Sequence, residues 1–277
     1  MAANLPIASR EYKLTLAAAR FEDRAAACGE LLQRVREIVA GVGGTPVEQA
    51  ELSDKTEKKR RTWFLDTPAK AFREAGFFLR VRREKKTEYT LTLKRRSPDR
   101  YLSASADVTC RIVGAKEKPK FEEDILPPFV SKFSRSNSAE ELAEEPSLRT
   151  VGEAAALFSS LGGLGVATDE PVRVGGIQAF EIVQLMGGFR FDPGVDVKMS
   201  TTFWYDSEAM EGVPLVAELS YDYDAPEKKA LEEDPIRLEG FPIATVRGAF
   251  EVFRLLQGEA EWIDPTGSTK SDFAGGI

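Results

Sequence analysis

Arg80 and Arg82 stand two residues apart in the run LRVR, and Lys94 ends the run LTLK shortly after it. Successive side chains of a β-strand point to opposite faces, so residues two apart share a face. In Phe77–Arg83, Phe77, Leu79 and Val81 fall on one face, and Phe78, Arg80 and Arg82 on the other. In Tyr89–Lys94, Tyr89, Leu91 and Leu93 oppose Thr90, Thr92 and Lys94. Two neighbouring strands therefore aim three cations the same way, and that face binds anions if it is enclosed. The same alternation elsewhere adds Lys13, Lys120 and Lys198 as bases, and Glu11, Glu122, Asp124, Glu218 and Asp222 as acids. A multivalent anion needs several bases at once, since each desolvated charge-assisted hydrogen bond contributes about 1.5–3 kcal/mol. Carboxylates on the same wall would repel such a ligand unless a divalent cation bridged them to it.

Alternation alone leaves a plainer reading open. A flat antiparallel sheet with its polar side in water would show the same pattern, cross-linked by surface ion pairs worth about 0–1 kcal/mol each. A purely structural barrel would show it too. Closing the sheet with the polar side inward removes the edge strands and turns the apolar faces out against helices.

The elements that must position these residues follow from periodicity. Ser9–Leu16 reads as a strand with Tyr12, Leu14 and Leu16 on one face and Ser9, Glu11 and Lys13 on the other. Arg20–Ala40 carries Cys28, Leu31, Leu32, Val35, Ile38 and Val39 at helical spacing and stops at Gly41–Gly44. Cys28 belongs in that apolar stripe. Pro46–Lys59 contains a strand and leads into the basic run Lys58–Arg61, read as solvated. Thr62–Asp66 is β-rich and ends at Asp-Thr-Pro, where Asp66 caps a short helix over Pro68–Ala75. After Lys94 come a turn, a strand over Ser103–Val113, and a strand over Lys118–Ile125 whose one face holds Lys120, Glu122 and Asp124. Pro127–Pro146 reads as an irregular or partly helical insertion, and Val151–Leu161 as a helix ended by Gly162 and Gly163. Val172–Phe191 holds two strands with Gly187 and Gly188 as turn or bulge, and Arg190 is a further candidate base. Asp196–Tyr205 and Pro214–Asp224 are strands; Ala244–Leu256 is an amphipathic helix.

Composition narrows the chemistry. The 277 residues, 42% hydrophobic and 30% charged, suit one large domain with insertions or two small ones. A net charge of −7 argues against non-specific coating of nucleic acid, so any polyanion site must concentrate its bases locally. The chain has no histidine, which removes Ser-His-Asp and Cys-His catalysis and histidine-ligated zinc. A metal here would sit among oxygen ligands, as magnesium, manganese or calcium prefer. Two cysteines, no 20-residue apolar run and no secretion-type leader lead us to expect a cytoplasmic protein without a membrane partner.

The ordered set FLDTP, LRVR and LTLK resembles the core signature of CYTH domains, the triphosphate tunnel enzymes. These include thiamine triphosphatases, tripolyphosphatases, RNA triphosphatases and one class of adenylyl cyclase. The resemblance implies an α+β fold: an antiparallel β-tunnel, barrel-like and closed, of about eight strands, with a polar interior and a cover of helices. It implies one tunnel domain over residues 1–260 with an insertion around 126–150, and a disordered tail over 261–277. In the family the first strand carries Glu-x-Glu-x-Lys; here the aligned residues are Ser9, Glu11 and Lys13, so the first glutamate is absent. The late acidic pair becomes Glu218 and Ser220, again with one glutamate replaced. The implied site comprises Glu11, Lys13, Arg80, Arg82 and Lys94 as catalytic groups, with Lys120, Arg190 and Lys198 as further phosphate contacts. Glu11, Glu122, Asp124, Glu218 and Asp222 would hold Mg²⁺ or Mn²⁺. The implied activity is metal-dependent hydrolysis of a triphosphate compound. Cyclisation of a nucleoside triphosphate is the neighbouring chemistry, and Ser9 with Ser220 favours the alternative of a module that binds a phosphorylated ligand without turnover. Which triphosphate is taken, and the oligomeric state, are not written in the chain.

Overall fold

A computed structural model describes residues 5–47, 52–85, 87–176, 178–226, 240–265 and 270. Its centre is a closed ring of nine strands. In chain order the strands are β1 (Ser9–Leu16), β2 (Thr45–Val47), β3 (Glu57–Asp66), β4 (Phe77–Lys85), β5 (Glu88–Ser97) and β6 (Lys116–Leu126). They continue with β7 (Val130–Leu142), β8 (Arg173–Val174), β9 (Ala179–Asp192), β10 (Val195–Tyr205) and β11 (Val216–Asp224). Around the ring the order is β9, β10, β11, β1, β6, β7, β5, β4 and β3, and β3 pairs back onto β9; β2 and β8 hang on the outside as short extra strands.

Every neighbour pair in the ring is antiparallel except β1 with β6, which run parallel. Nine strands cannot alternate direction all the way round a closed ring, so one parallel pair is obligatory. The expected tunnel of about eight antiparallel strands is therefore a tunnel of nine with one parallel seam. The seam lies between the two strands that carry Glu11 and Glu122.

The apolar faces point outward, and helices cover them. Helix α1 (Arg24–Gly41), capped by Asp23 Oδ1 accepting from Ala26 N at 3.1 Å, packs Leu31, Val35 and Ile38 toward Tyr12, Leu14 and Leu16 of β1. The last helix, α6 (Ile243–Leu256), adds Val252, Phe253 and Leu256 to the same core, with Tyr12 and Phe253 rings 5.1 Å apart. On the far side α4 (Val151–Leu157) and α5 (Ser159–Gly162) bring Val151, Ala154, Phe158 and Leu161 against Leu79, Val81, Leu91 and Leu93. Each fully buried side chain of this kind contributes roughly 1.5–3 kcal/mol, so closing the barrel leaves its hydrophobic stabilisation on the outer wall and frees the inner wall for charge. Val151–Leu161, read as one helix, is two: Phe158 adopts extended dihedrals between them.

Two short helices complete the fold. Between β3 and β4, α2 (Ala71–Glu74) starts where Asp66 accepts from the backbone of Thr67, Phe72 and Arg73 at 2.8, 2.9 and 3.1 Å, so Asp66 serves the turn and not the tunnel. Ser103–Val113, expected as a strand, instead follows α3 (Arg100–Ala104), whose start Asp99 Oδ1 caps by accepting from Tyr101 N and Leu102 N. Its remainder pairs with no strand among the described residues. The segment read as an insertion is also different, because Val130–Leu142 is the central strand β7, paired with both β5 and β6. Its inner face is serine, at Ser134, Ser136 and Ser138, so it lacks the hydrophobic alternation that marks a strand in sequence. Gly187 and Gly188 form a bulge: the β9–β10 register shifts at Met199/Ser200, Gly187 has φ +81°, and a Cβ at Gly188 would strike the Val197 carbonyl oxygen. Trp262 and Ile263, within the segment assigned to the tail, are buried against Phe21 and β1, and Ile263 bridges to Leu16. No helix among the described residues is long and apolar enough to cross a membrane.

Candidate anion and metal site

The ring encloses a cavity of about 670 Å³ lined by side chains from every barrel strand. Glu11 and Lys13 come from β1, Arg80 and Arg82 from β4, Lys94 from β5, and Lys120, Glu122 and Asp124 from β6; Lys198 and Asp222 come from β10 and β11. Ten bases and seven acids line it among the described residues, so a protein of net charge −7 keeps a net positive interior. Alternation brought these groups together because the barrel uses one face of each strand.

The acids are mostly engaged. Lys13 Nζ lies 2.7 Å from Asp124 Oδ1 and 2.9 Å from Glu11 Oε2. Arg96 Nη2 lies 3.2 Å from Asp124 Oδ2. Burial alone would raise the Asp124 carboxyl, but Lys13, Lys94 and Arg96 outweigh it and hold the group ionised, far below the usual carboxylate range. Glu122 takes Lys94 Nζ on Oε1 at 2.6 Å and Lys120 Nζ on Oε2 at 2.9 Å; these ammonium groups override its burial and keep it low. Glu181, fully buried, is held ionised against its burial by Arg60 and Arg82, and its Oε2 accepts from Trp204 Nε1 at 2.7 Å. Glu218 pairs with Lys270 Nζ at 2.7 Å.

The bases are not all satisfied. Burial pushes the Arg80 guanidinium down to about 10, and repulsion from Arg60 adds to it. Arg82 is pushed well below its ordinary value by burial, then by Arg80 and Arg60. The Nε atoms of both are buried without a hydrogen-bond partner, and Arg80 Nη2 reaches only Thr92 Oγ1 at 3.5 Å. Two adjacent guanidiniums thus face the cavity with donors unused and charge under-compensated, a site that an anion completes.

One acid is in the opposite condition. Asp222 sits opposite Glu11 in the β1–β11 register and has no ion pair among the described residues. Burial, and then repulsion from Glu11, raise its carboxyl to about 6. Asp222, with Glu11 beside it, suits a hard divalent cation such as Mg²⁺ or Mn²⁺, which commonly takes one or two protein carboxylates and completes its shell from water and phosphate oxygens. No group of three acids among the described residues forms a closed protein cage. Of the expected ligands, Asp222 alone has no ion pair among the described residues; Glu11 shares Lys13 with Asp124, and Glu122, Asp124 and Glu218 are each taken by ammonium or guanidinium groups.

One expected phosphate contact lies outside the cavity and another at its rim. Arg190 is outside the cavity, at the exposed end of the β9–β10 hairpin, with Nη2 2.5 Å from Asp196 Oδ1; it lies beyond the tunnel rim. Lys198 is at the rim, two-thirds exposed and 2.9 Å from Asp224 Oδ2. Ser9 is fully buried, and Ser220 Oγ lies 3.4 Å from Ser200 Oγ; neither supplies a carboxylate. Sequence reasoning missed Arg60, Arg96, Glu181 and Lys270. Arg96 follows Lys94 by two and Arg60 precedes Thr62 by two, so strict alternation continued past the chosen segments identifies both. Glu181 carries no such signal, and Lys270 lies far from the strands in sequence.

No family model and no curated protein matches this chain. Solved structures resemble it over nearly its whole length. A candidate adenylyl cyclase from Hippeastrum, described as having a dominant triphosphatase activity, is 14% identical with a TM-score of 0.41, covering 96% of this chain and 95% of the other. A candidate adenylate cyclase from Bacillus halodurans is 10% identical with a TM-score of 0.40, covering 96% and 99%. A third, from Vibrio parahaemolyticus, is 10% identical with a TM-score of 0.34, covering 97% and 98%. The chain is a closed β-tunnel with a charged inner wall, and three of its strands carry the FLDTP, LRVR and LTLK segments on which the resemblance to CYTH domains rests.

Proposed function

We propose that the tunnel binds the phosphate chain of a triphosphate compound, inorganic tripolyphosphate or an organic triphosphate, and hydrolyses its terminal phosphoanhydride with Mg²⁺ or Mn²⁺. The observation that carries this reading is the half-buried pair Arg80 and Arg82, whose buried Nε donors have no partner and whose positive charge an incoming anion would offset. Lys94 extends the cationic wall beside them on β5.

In this reading Arg80, Arg82 and Lys94 donate to non-bridging phosphate oxygens, orient the chain along the wall and take up the negative charge that develops there. Lys13, fixed between Asp124 and Glu11, adds a positioned ammonium on the opposite strand. Glu11 and Asp222 would hold the divalent cation, which supplies further neutralisation of the terminal phosphoryl group. Water attacks the terminal phosphorus, the anhydride P–O bond breaks, and tripolyphosphate yields orthophosphate and diphosphate. The water's proton leaves to solvent or to product oxygen.

A second reading, binding without turnover, is favoured by Ser9 and Ser220 and by the ammonium groups on Glu122, Asp124 and Glu218. One experiment separates them: phosphate release from tripolyphosphate, ATP and thiamine triphosphate in Mg²⁺, Mn²⁺ or EDTA, beside thermal shift on the same samples. Metal-dependent release is the expected result. Ligand stabilisation without release selects the binding module, and neither signal refutes an anion tunnel.

A further inference from the structure

Most of the tunnel wall is charged or carries hydroxyls, yet Phe64, Phe78 and Trp204 also face the cavity. β3 sets Phe64 opposite Arg80 of β4, and β4 sets Phe78 opposite Lys94 of β5. Phe78 precedes Arg80 by two and so shares its face. Cβ atoms of opposed residues lie about 4.5–5.5 Å apart, so the two rings interleave with two of the bases on the wall. Trp204 backs Phe64, with ring centroids 6.5 Å apart. Its Nε1 donates to Glu181 Oε2 at 2.7 Å, which fixes the indole. All three rings lie toward one mouth, where β3 and β10 end and β4 and β9 begin. Core packing accounts for Trp204, which is 3% exposed, but not for the two phenylalanines, which are half-buried. Phe78 joins none of the hydrophobic clusters among the described residues, and Phe64 meets only the small one of Ala179, Trp204 and Val216. Apolar rings left partly open in a charged cavity gain free energy when a ligand covers them.

We propose that Phe64 and Phe78, backed by Trp204, form a stacking platform for the organic end of the substrate. The tunnel then takes a triphosphate whose organic part carries a planar heteroaromatic ring in preference to inorganic tripolyphosphate. This rests on the reading of Arg80, Arg82 and Lys94 as the phosphate site. Stacking needs only a π-face, so the platform selects for a ring and not for one hydrogen-bonding pattern. The direction of binding follows from the strands. Arg82 follows Arg80 along β4 away from the aromatic mouth, and Asp222 lies near the far end of β11, whose first residue, Val216, pairs with Trp204. A ligand stacked on the rings therefore lays its phosphates past Arg80 and Arg82 and points the terminal one inward, toward the carboxylates.

The test is titration calorimetry of the full chain in Mg²⁺ with inorganic imidotriphosphate and with the β,γ-imido analogues of ATP and of thiamine triphosphate. The proteins are the wild type, Phe64→Ala, Phe78→Ala and Tyr101→Ala, the last 74% exposed and outside the cavity. In the wild type at least one organic analogue is expected to bind tenfold or more tightly than imidotriphosphate, and the analogue that does so identifies the ring. In Phe64→Ala and Phe78→Ala that ratio falls to within threefold while imidotriphosphate affinity stays put; Tyr101→Ala keeps the wild-type ratio. A wild type that binds imidotriphosphate as tightly as both organic analogues, or folded Phe64→Ala and Phe78→Ala chains with the ratio unchanged, overturns the proposal and leaves the phosphate site standing. A wild type that binds none of the three ligands refutes the tunnel reading itself. Phe64→Leu, which keeps apolar volume without a ring face, serves the same comparison if Phe64→Ala does not fold.

Discussion

Replacing Arg80 by methionine should make this protein more stable and less able to hold its ligand. The guanidinium faces the cavity from β4, with one long contact to Thr92, no ion pair among the described residues, and an Nε that donates to nothing. Burial and Arg60 lower its pKa from 12.5 to about 10. At about 1.36 kcal/mol per pKa unit the shift corresponds to an upper figure of about 3 kcal/mol against the charged form, and residual contact with cavity water brings the expected gain to about 1–2 kcal/mol. The sign follows from the direction. A base whose folded pKa lies below its unfolded value carries its penalty at every pH below the folded value, so at pH 7 removing the charge removes the penalty. Methionine keeps much of the aliphatic stem, which limits the cavity left behind. For a chain of this size the gain raises the melting temperature by about 2–8 °C. The same change removes a charge-assisted donor to phosphate, worth about 1.5–3 kcal/mol, so tripolyphosphate affinity falls roughly 10- to 150-fold. Differential scanning calorimetry without ligand and titration calorimetry with tripolyphosphate read the two effects separately. A variant that melts lower than the wild type and binds as tightly would refute the reasoning on both counts, since Arg80 would then be a structural partner and not an unsatisfied cation.

Other parts of the molecule give further checks. Glu181→Gln leaves Arg60 and Arg82 without their shared buried counter-charge and should destabilise the fold by about 3–5 kcal/mol, read by urea unfolding. Burial raises the Cys28 thiol to about 11, so iodoacetamide at pH 8 should leave it unmodified in the folded chain and alkylate it in denaturant, as mass spectrometry of the peptide would show. Thr150→Ala removes half of a capping box in which Glu153 N donates to Thr150 Oγ1 at 3.2 Å and Thr150 N donates to Glu153 Oε2 at 3.3 Å; a loss of about 1 kcal/mol is expected by thermal melt.

The period-two pattern determined more of this protein than any single motif. It placed Glu11, Lys13, Arg80, Arg82, Lys94, Lys120, Glu122, Asp124 and Asp222 on one side of their strands, and the structure gathers all of them on one wall. It also assigned Tyr12, Leu14, Leu79, Val81, Leu91 and Leu93 to the opposite side, where they form the buried outer cores. That much is local, because the pleat of an extended backbone turns successive side chains to opposite faces. Whether that face meets water or closes on itself is not local, and the same alternation fits a flat sheet. Closure depends on β3 finding β9, across more than a hundred residues of chain, and on β1 lying parallel to β6. The missed strand β7 shows the same limit: serines that are uninformative in sequence become a tunnel wall once β5 and β6 flank them. Arg190 marks the reverse case, a base counted as internal that lies at the exposed end of its hairpin, beyond the rim, and pairs with Asp196. Ion pairing was settled last, and only in three dimensions. The sequence names which acids and bases share the wall. The register of nine strands decides that Asp124 and Glu122 are neutralised, that Asp222 is not, and that Arg80 and Arg82 are left with charge to spare.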